Sequence, residues 1–414
     1  MTRRTAMVGI NRNATQQMHA SGASPSHYCE EREIWNAKSL GKWLSDIGVV
    51  EARPLWYEYQ HEPLEVPPSL VRDLQRDGVV GILPGLEYAV EGAAQLALAM
   101  DLPGAGVQAA RTLRNKALLR ETTSSYDWGS VAFRLVSSPE ELSDFLARQA
   151  DSAIVKPVDR QGSLGVARVD RHSDGPALWN DILSAFEKDQ TITGWSGQSR
   201  ALVEELLVGD ECSVEALVSD GRVQWVNLTA KHVLDSRHRV EIGHEIVAVE
   251  DWCLPVMQEL VSSIGFEFGL LHAEFMRTAQ GPRLIECAGR PPGDQILNLI
   301  EHAWGFSPTA AWSAIMCGGS FAFPDRAWGR ASVAFIYADV DGKIVSDVDA
   351  TMLSPEYVSS YTGARGDIVR RPRSSWDRLG FVVSAEALGA RGLYDDARER
   401  ADQLRPRVES GMRD

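Results

Sequence analysis

Along the first hundred positions, short apolar runs alternate with stretches of helical spacing. AMVGI after Thr5 and GVVGILPG after Asp77 are compact enough to be buried parallel strands. Residues 31–47, 69–76 and 86–100 carry apolar residues at helical intervals, and residues 11–30 read as a polar loop. VVEARPLW and a Pro-rich link from Pro63 to Pro68 separate the first two helical stretches. Strands alternating with helices predict a small doubly wound α/β domain that ends near Leu102–Gly104.

The rhythm then changes. After two helical segments between Gln108 and Gln149, the second started by Ser138-Pro139-Glu140-Glu141, comes the strand SAIVKPV and a glycine hairpin, DRQGSLGVARV. A polar loop, Thr191 to Ser199, leads into ALVEELLVGDECSVEALVSDGRVQWVNLTAKHV, an antiparallel meander turning at Ser219-Asp220-Gly221. HRVEIGHEIVAVE follows, then a helix over 251–264 and the stretch LHAEFMRTAQGPRLIECAGRPPG. Two amphipathic helices, DQILNLIEHAWG and SPTAAWSAIMCGG with Gly318 as a stop, precede a tail of short strands (ASVAFIYA, GKIVSDV, RLGFVVSA) and a charged helix from Tyr394.

The densest chemistry lies in LHAEFMRTAQGPRLIECAGRPPG. Two strand-like runs flank the Gln280-Gly281-Pro282 turn, and each carries one acid, Glu274 and Glu286. Antiparallel pairing across that turn makes the acids converge. A buried acid is costly unless a cation neutralises it, and two together cost more. With Arg290 in the Gly/Pro-rich loop beyond, the segment points to a hard-metal and phosphate centre; the alternative is a surface hairpin with two solvated acids. Upstream, Lys116 stands in the helix-forming RTLRNKALLRE, and Lys156 where a strand emerges before Pro157. Gly162, Ser163 and Gly165 form a hairpin able to lay N–H groups and a hydroxyl on phosphate, though the run is neither a Walker A loop nor GxGxxG. Glu87 begins a helix at the C-terminal edge of a strand, where it is either a ligand residue or a dipole-stabilising acid.

Composition narrows the field. The chain has 414 residues, 44% hydrophobic and 24% charged, enough for two or three domains. A formal charge of −15 argues against nonspecific nucleic-acid binding. Five scattered cysteines offer neither a CxxC pair nor zinc spacing, which suits buried thiols in a reducing compartment. The N-terminus has basic residues without an apolar signal core, and no run approaches the ~20 apolar residues of a membrane span. A cytoplasmic protein with no membrane partner is the expectation.

Taken in order, NK at Lys116, VKP at Lys156, QGSLGV, VEELLVGDE, TAKH and HAEF…LIECAGRPPG resemble the ATP-grasp superfamily over nearly the whole chain. Within it the sequence is most similar to carboxylate–amine ligases related to bacterial L-amino-acid (dipeptide) ligases, which share the EIGH segment and a closing LGFVV strand. The resemblance implies an α/β, α+β architecture: an N-terminal doubly wound domain (1–106), an ATP-grasp small lid subdomain (107–200), a large subdomain with the metal hairpin (201–325), and a C-terminal α+β domain (326–414). Nucleotide would lie between the two subdomains.

The resemblance also implies roles. ATP is expected against Lys116, Lys156 and Lys231, the hairpin of Gly162, Ser163 and Gly165, and the segment Glu204, Glu205, Leu206 and Leu207, with Glu211 on the ribose. Glu274 and Glu286 would hold Mg²⁺, two ions in such enzymes, with Mn²⁺ as a substitute. Arg290 would stabilise the transferring phosphoryl group, Glu241 or His244 would serve as base for the amine, and Glu87, Arg290 and Asp294 would shape the substrate pocket. An acid at Asp294 would favour a basic or amino-bearing substrate, or else cap a helix. The family usually places Asn two residues after the second metal acid, where this chain has Ala288, so another group must complete the metal shell. The implied partners are a small carboxylate and an amine, with a homodimer carried over from similar enzymes. Competing readings are a bicarbonate-activating carboxylase, against which no AMKM-type biotinyl motif occurs in the chain, and a non-catalytic ATP-binding protein.

Overall fold

The computed structural model describes residues 4–50, 52–61, 63–148, 152–184, 200–348, 358–387 and 393–410. The polar loop expected over 191–199 lies outside them.

The N-terminal unit is a four-stranded parallel sheet in the order Arg53–Trp56, His27–Glu30, Arg4–Val8, Val79–Pro84. Residues 11–30 are not one polar loop. They contain a helix, Arg12–Ala20, and the strand His27–Glu30. Asn11 caps that helix by accepting from the Ala14 N–H. The helix carries few apolar residues, and it docks through Gln17, which donates to the Leu297 carbonyl and to Glu301, some 280 positions away. Nor is 31–47 a single helix: it breaks into Arg32–Ala37 and Leu40–Asp46 at Ser39, whose φ of 48° is left-handed. In the same way Asn115 divides Val107–Arg114 from Lys116–Thr123 and caps the second helix through the Ala117 and Leu118 N–H groups.

A four-stranded antiparallel sheet follows, ordered Phe133–Val136, Ala201–Glu205, Ala153–Pro157, Ala167–Val169. Its apolar face packs against helices Pro139–Arg148 and Gly175–Ser184 through Leu142, Leu146, Val155, Leu178 and Val203.

The largest sheet has eight strands. Its order is Gly281–Ala288, Gly269–Thr278, Asp210–Ser219, Arg222–Val233, Glu241–Val247, Gly329–Ile336, Gly380–Ala387, Val358–Tyr361. The boundary expected at 326 therefore runs through one continuous sheet, since Gly329–Ile336 pairs with Glu241–Val247. Gly380–Ala387 pairs with Gly329–Ile336 inside that sheet, and Ser375, Trp376 and Arg378 just before it line one of the cavities described below. A three-stranded sheet, Ile368–Val369, Gly342–Ile344 and Val408–Glu409, completes the C-terminal part.

Candidate active site

Two adjoining cavities lie between the sheets and share Gln161, Ser163, Glu211, Glu274 and Glu286. Lys116, Lys156, Glu204–Leu207 and Ile285 line the first. The second, of about 290 Å³, is lined by Glu87, Gly162, Lys231, Glu241, His272, Arg290, Asp294 and Arg378 among others. The shared acids form the wall where the two meet.

Glu274 and Glu286 are directly opposed partners in the antiparallel pair, with a register shift beginning just after Glu274. The convergence expected from the turn is what the strands produce. Lys116 donates to the Arg160 carbonyl at 2.5 Å and pairs with Glu286 at 3.2 Å. Lys156 pairs with Glu204 at 2.7 Å and donates to the Ile285 carbonyl. Glu204 is also gripped by Arg120, which sequence reasoning missed. Arg120 is 2% exposed, donates through Nε to Glu204 at 2.5 Å, and caps the Leu284 and Ile285 carbonyls. Burial pushes the Glu204 carboxyl up, but the charges of Lys156 and Arg120 outweigh it and hold it at about 2. The only sequence signal for Arg120 is its place four residues after Lys116 on one helix.

Lys231 stands between two acids, 2.6 Å from Glu241 and 2.5 Å from Glu274. Burial opposes its charge, yet Glu241, Glu274 and Glu211 raise its pKa well above the ordinary lysine value. It lines the second cavity rather than the first, so its geometry ties it to the carboxylates more than to nucleotide. Glu211 lines both cavities and lies 3.3 Å from Arg239. Burial, reinforced by Glu241 and Glu274, pushes it up to about 7 despite Lys231.

These acids fit a hard cation. Glu211, Glu241 and Glu274 each present a carboxylate oxygen, and these oxygens lie within 4.8 Å of one another. Burial, and after it the charges of Glu241 and Glu274, raises Glu211, and a divalent ion beside these oxygens would offset both. Behind them His272, also missed, reaches Glu274 at 3.2 Å through Nε2 and Glu215 at 2.9 Å through Nδ1. Glu215 is wholly buried and also accepts from Ser213, Asn227 and Thr229. Burial lowers the His272 pKa, but the Glu215 and Glu274 contacts raise it to about 9.

At the far end of the second cavity Glu87 accepts from Arg114 at 2.6 Å and from Arg290 Nε at 2.7 Å. Glu87 is thus a partner of Arg290, not a plain helix-dipole acid. Burial would raise its carboxyl, yet Arg114, Arg290 and Lys116 bring it to about 2. Asp294, at a left-handed φ of 56°, is held by Arg378 through two bonds of 2.5 and 3.0 Å. Its charge is matched within the chain by Arg378, and it lines the second cavity. It caps no helix with its side chain: the helix Ile296–Trp304 starts at Gln295 without a side-chain cap bond.

The two candidate bases separate. Glu241 lines the second cavity, whereas His244 is fully buried, lines neither cavity, and stands 3.5 Å behind Glu241 and 3.7 Å from Asp294. In the glycine hairpin Gly162, Ser163 and Gly165 all take positive φ (64°, 58°, 72°), and the Gly162 carbonyl accepts from the Ser375 N–H of the C-terminal part. Gly162 and Ser163 line cavities; Gly165 lines neither. Among the described residues no helix is long and apolar enough to cross a membrane.

The family described as ATP-grasp domain matches residues 150–298. The chain is 30% identical over 271 residues to a phosphoribosylamine–glycine ligase of Methanothermobacter thermautotrophicus, covering 58% of this chain and 60% of the relative. It is 26% identical over 258 residues to dapdiamide A synthase of Enterobacter agglomerans, covering 58% and 57%. The chain thus spans less than two thirds of the length of these curated relatives. A crystal structure of L-amino acid ligase from Bacillus licheniformis superposes with a TM-score of 0.75 over 99% of each chain at 17% identity. The chain carries an ATP-grasp domain, set within an ATP-grasp fold that extends over its whole length.

Proposed function

We propose that the chain is an ATP-dependent, ADP-forming carboxylate–amine ligase that joins an amino acid or related carboxylate to an amine through an acyl phosphate. The carrying observation is the pair of cavities meeting at Glu274 and Glu286, with Lys116 and Lys156 on one side and Arg290 on the other. ATP would lie in the first cavity, its adenine against the backbone of Glu204–Leu207 and its phosphates near Lys116, Lys156 and the 162–165 hairpin. Magnesium, held by Glu274 and Glu286 with Glu211 in reach, would neutralise the phosphate oxygens when bound.

The substrate carboxylate, in the second cavity, attacks the γ-phosphorus; the bond to ADP breaks and an acyl phosphate forms. Arg290, aimed by Glu87, meets the charge that accumulates on the transferring group. The amine nitrogen then attacks the acyl carbon and inorganic phosphate leaves. Glu241, which lines that cavity, would take the amine proton, with His244 behind it. Positioning and charge neutralisation carry most of the rate.

An amino-acid-type amine suits the second cavity better than a phosphorylated one. Glu87, Glu211, Glu241, Glu274, Glu286 and Asp294 line it, while Lys231, Arg290 and Arg378 are each already paired with one of those acids. The test is ATP with hydroxylamine across a panel of carboxylates. ADP and a hydroxamate are expected for at least one amino acid. AMP as product, or no nucleotide turnover with any carboxylate, would refute the reading.

A further inference from the structure

We propose that His272 is a ligand of the metal ion at the carboxylate hairpin, supplying through Nε2 the donor that an amide side chain at position 288 would otherwise provide. The proposal rests on the nucleotide–metal reading of the site.

Strand geometry makes the substitution possible. Residues 272 and 274 point to one face of their strand, and the pairing sets His272 opposite Ala288 and Glu274 opposite Glu286. Opposed Cβ atoms in such a pair stand about 4.5–5.5 Å apart, so a side chain at 272 covers the place that a short one at 288 leaves open. The Ala288 methyl has no donor atom. The imidazole opposite does, and it lines the second cavity together with Glu211, Glu274 and Glu286.

The ring is held as metal-ligating histidines are held. Nδ1 lies 2.9 Å from a Glu215 oxygen, and Glu215 is fixed by Ser213, Asn227 and Thr229 in a wholly buried nest. Asn227 is in turn anchored by the Trp304 indole N–H at 2.8 Å. A carboxylate on one imidazole nitrogen fixes the ring's orientation, and an ion bound at the other would take the place of the proton that Nε2 shares with Glu274, releasing it to solvent. That other nitrogen stands 3.2 Å from Glu274 Oε1, the oxygen that also accepts from Lys231. Two donors of one octahedral ion with bonds of about 2.1 Å stand about 3 Å apart, so His272 Nε2 and Glu274 Oε1 are spaced to share a cation. A nitrogen in an otherwise oxygen shell shifts preference from Mg²⁺ toward Mn²⁺ and Co²⁺.

The full chain loaded with Mn²⁺ and ADP gives a readout that does not require turnover. Electron spin-echo modulation should show a directly coordinated ¹⁴N. Growth on [¹⁵N]histidine should replace it by a ¹⁵N signature, a test that needs no substitution. His272→Gln should abolish the coupling and weaken Mn²⁺ binding about tenfold. His272→Gln combined with Ala288→Asn should recover the affinity without the nitrogen signal. A wild-type spectrum without nitrogen coupling, or coupling unchanged by [¹⁵N]histidine, would overturn the assignment while leaving the nucleotide–metal reading intact. Failure of the wild type to bind Mn²⁺ in the presence of ADP would overturn that reading, and the assignment with it.

Discussion

Two buried carboxylates in this molecule are built alike and placed for different ends. Glu204 sits between Lys156 and Arg120, and Glu87 between Arg114 and Arg290; each is held at about 2 by its two cations against the cost of burial. Glu204 and Lys156 stand on paired strands of the four-stranded sheet, and Arg120, from the helix Lys116–Thr123, also ties down the carbonyls of Leu284 and Ile285 on the metal strand. Glu87 is assembled from three places: the N-terminal unit, the connecting helix and the loop after the hairpin. The same charge pattern therefore fixes a wall in one case and aims a reactive arginine in the other. Breaking the first should cost mainly stability, breaking the second mainly rate.

The largest effect should come from Arg290→Ala. Loss of a group that meets transition-state charge should lower kcat/KM by about 10³-fold, with a loss of melting temperature smaller than that of Glu204→Gln because Arg114 and Lys116 still face Glu87. A large loss of stability with rate retained would invert the contrast between the two clamps.

Glu204→Gln comes next. It leaves Lys156 and Arg120 unmatched in the interior, and the distance from an ordinary 4.5 to about 2 corresponds to about 3 kcal/mol at neutral pH. Because the folded carboxyl is depressed, its contribution is full above pH 4.5 and is lost as pH falls through about 2. Wild-type and variant denaturation curves should thus differ at pH 7 and converge on acidification. A pH-independent gap would mean that packing, not charge, sets the cost.

Glu87→Gln should leave the protein folded and lower kcat by about 10-fold to 100-fold, as removal of a supporting partner does. Asp294→Asn should be mildest: releasing Arg378 should change KM for one substrate several-fold with little change in kcat. Steady-state kinetics with ADP detection separates these outcomes, and a kcat loss for Asp294→Asn larger than for Glu87→Gln would reverse their assigned roles.

What the sequence made legible follows the same division between local and long-range. The Glu274/Glu286 hairpin could be read because a turn and two alternating strands are set by adjacent residues, and the observed register pairs those two acids. The glycine hairpin and the lysines could be ordered by family resemblance. The helix Arg12–Ala20 could not be read, because Gln17 finds its partners near residue 300. Nothing local marks Arg120 within RTLRNKALLRE, because the carbonyls it bonds lie 164 and 165 residues away. His272 was visible in the densest motif, but its meaning depends on Glu215, 57 residues earlier on the neighbouring strand, and on standing opposite Ala288. The continuity of the large sheet past residue 326 was hidden for the same reason, since strand order is a long-range property.

Phosphorylation of the substrate carboxylate precedes attack by the amine in this mechanism. It can be followed by isotope, using the carboxylate that gives ADP in the panel, labelled with ¹⁸O in both oxygens. Mass analysis of the released phosphate should find one ¹⁸O atom per molecule, carried over when the acyl phosphate is displaced. Unlabelled phosphate, or label appearing in AMP, would contradict the account.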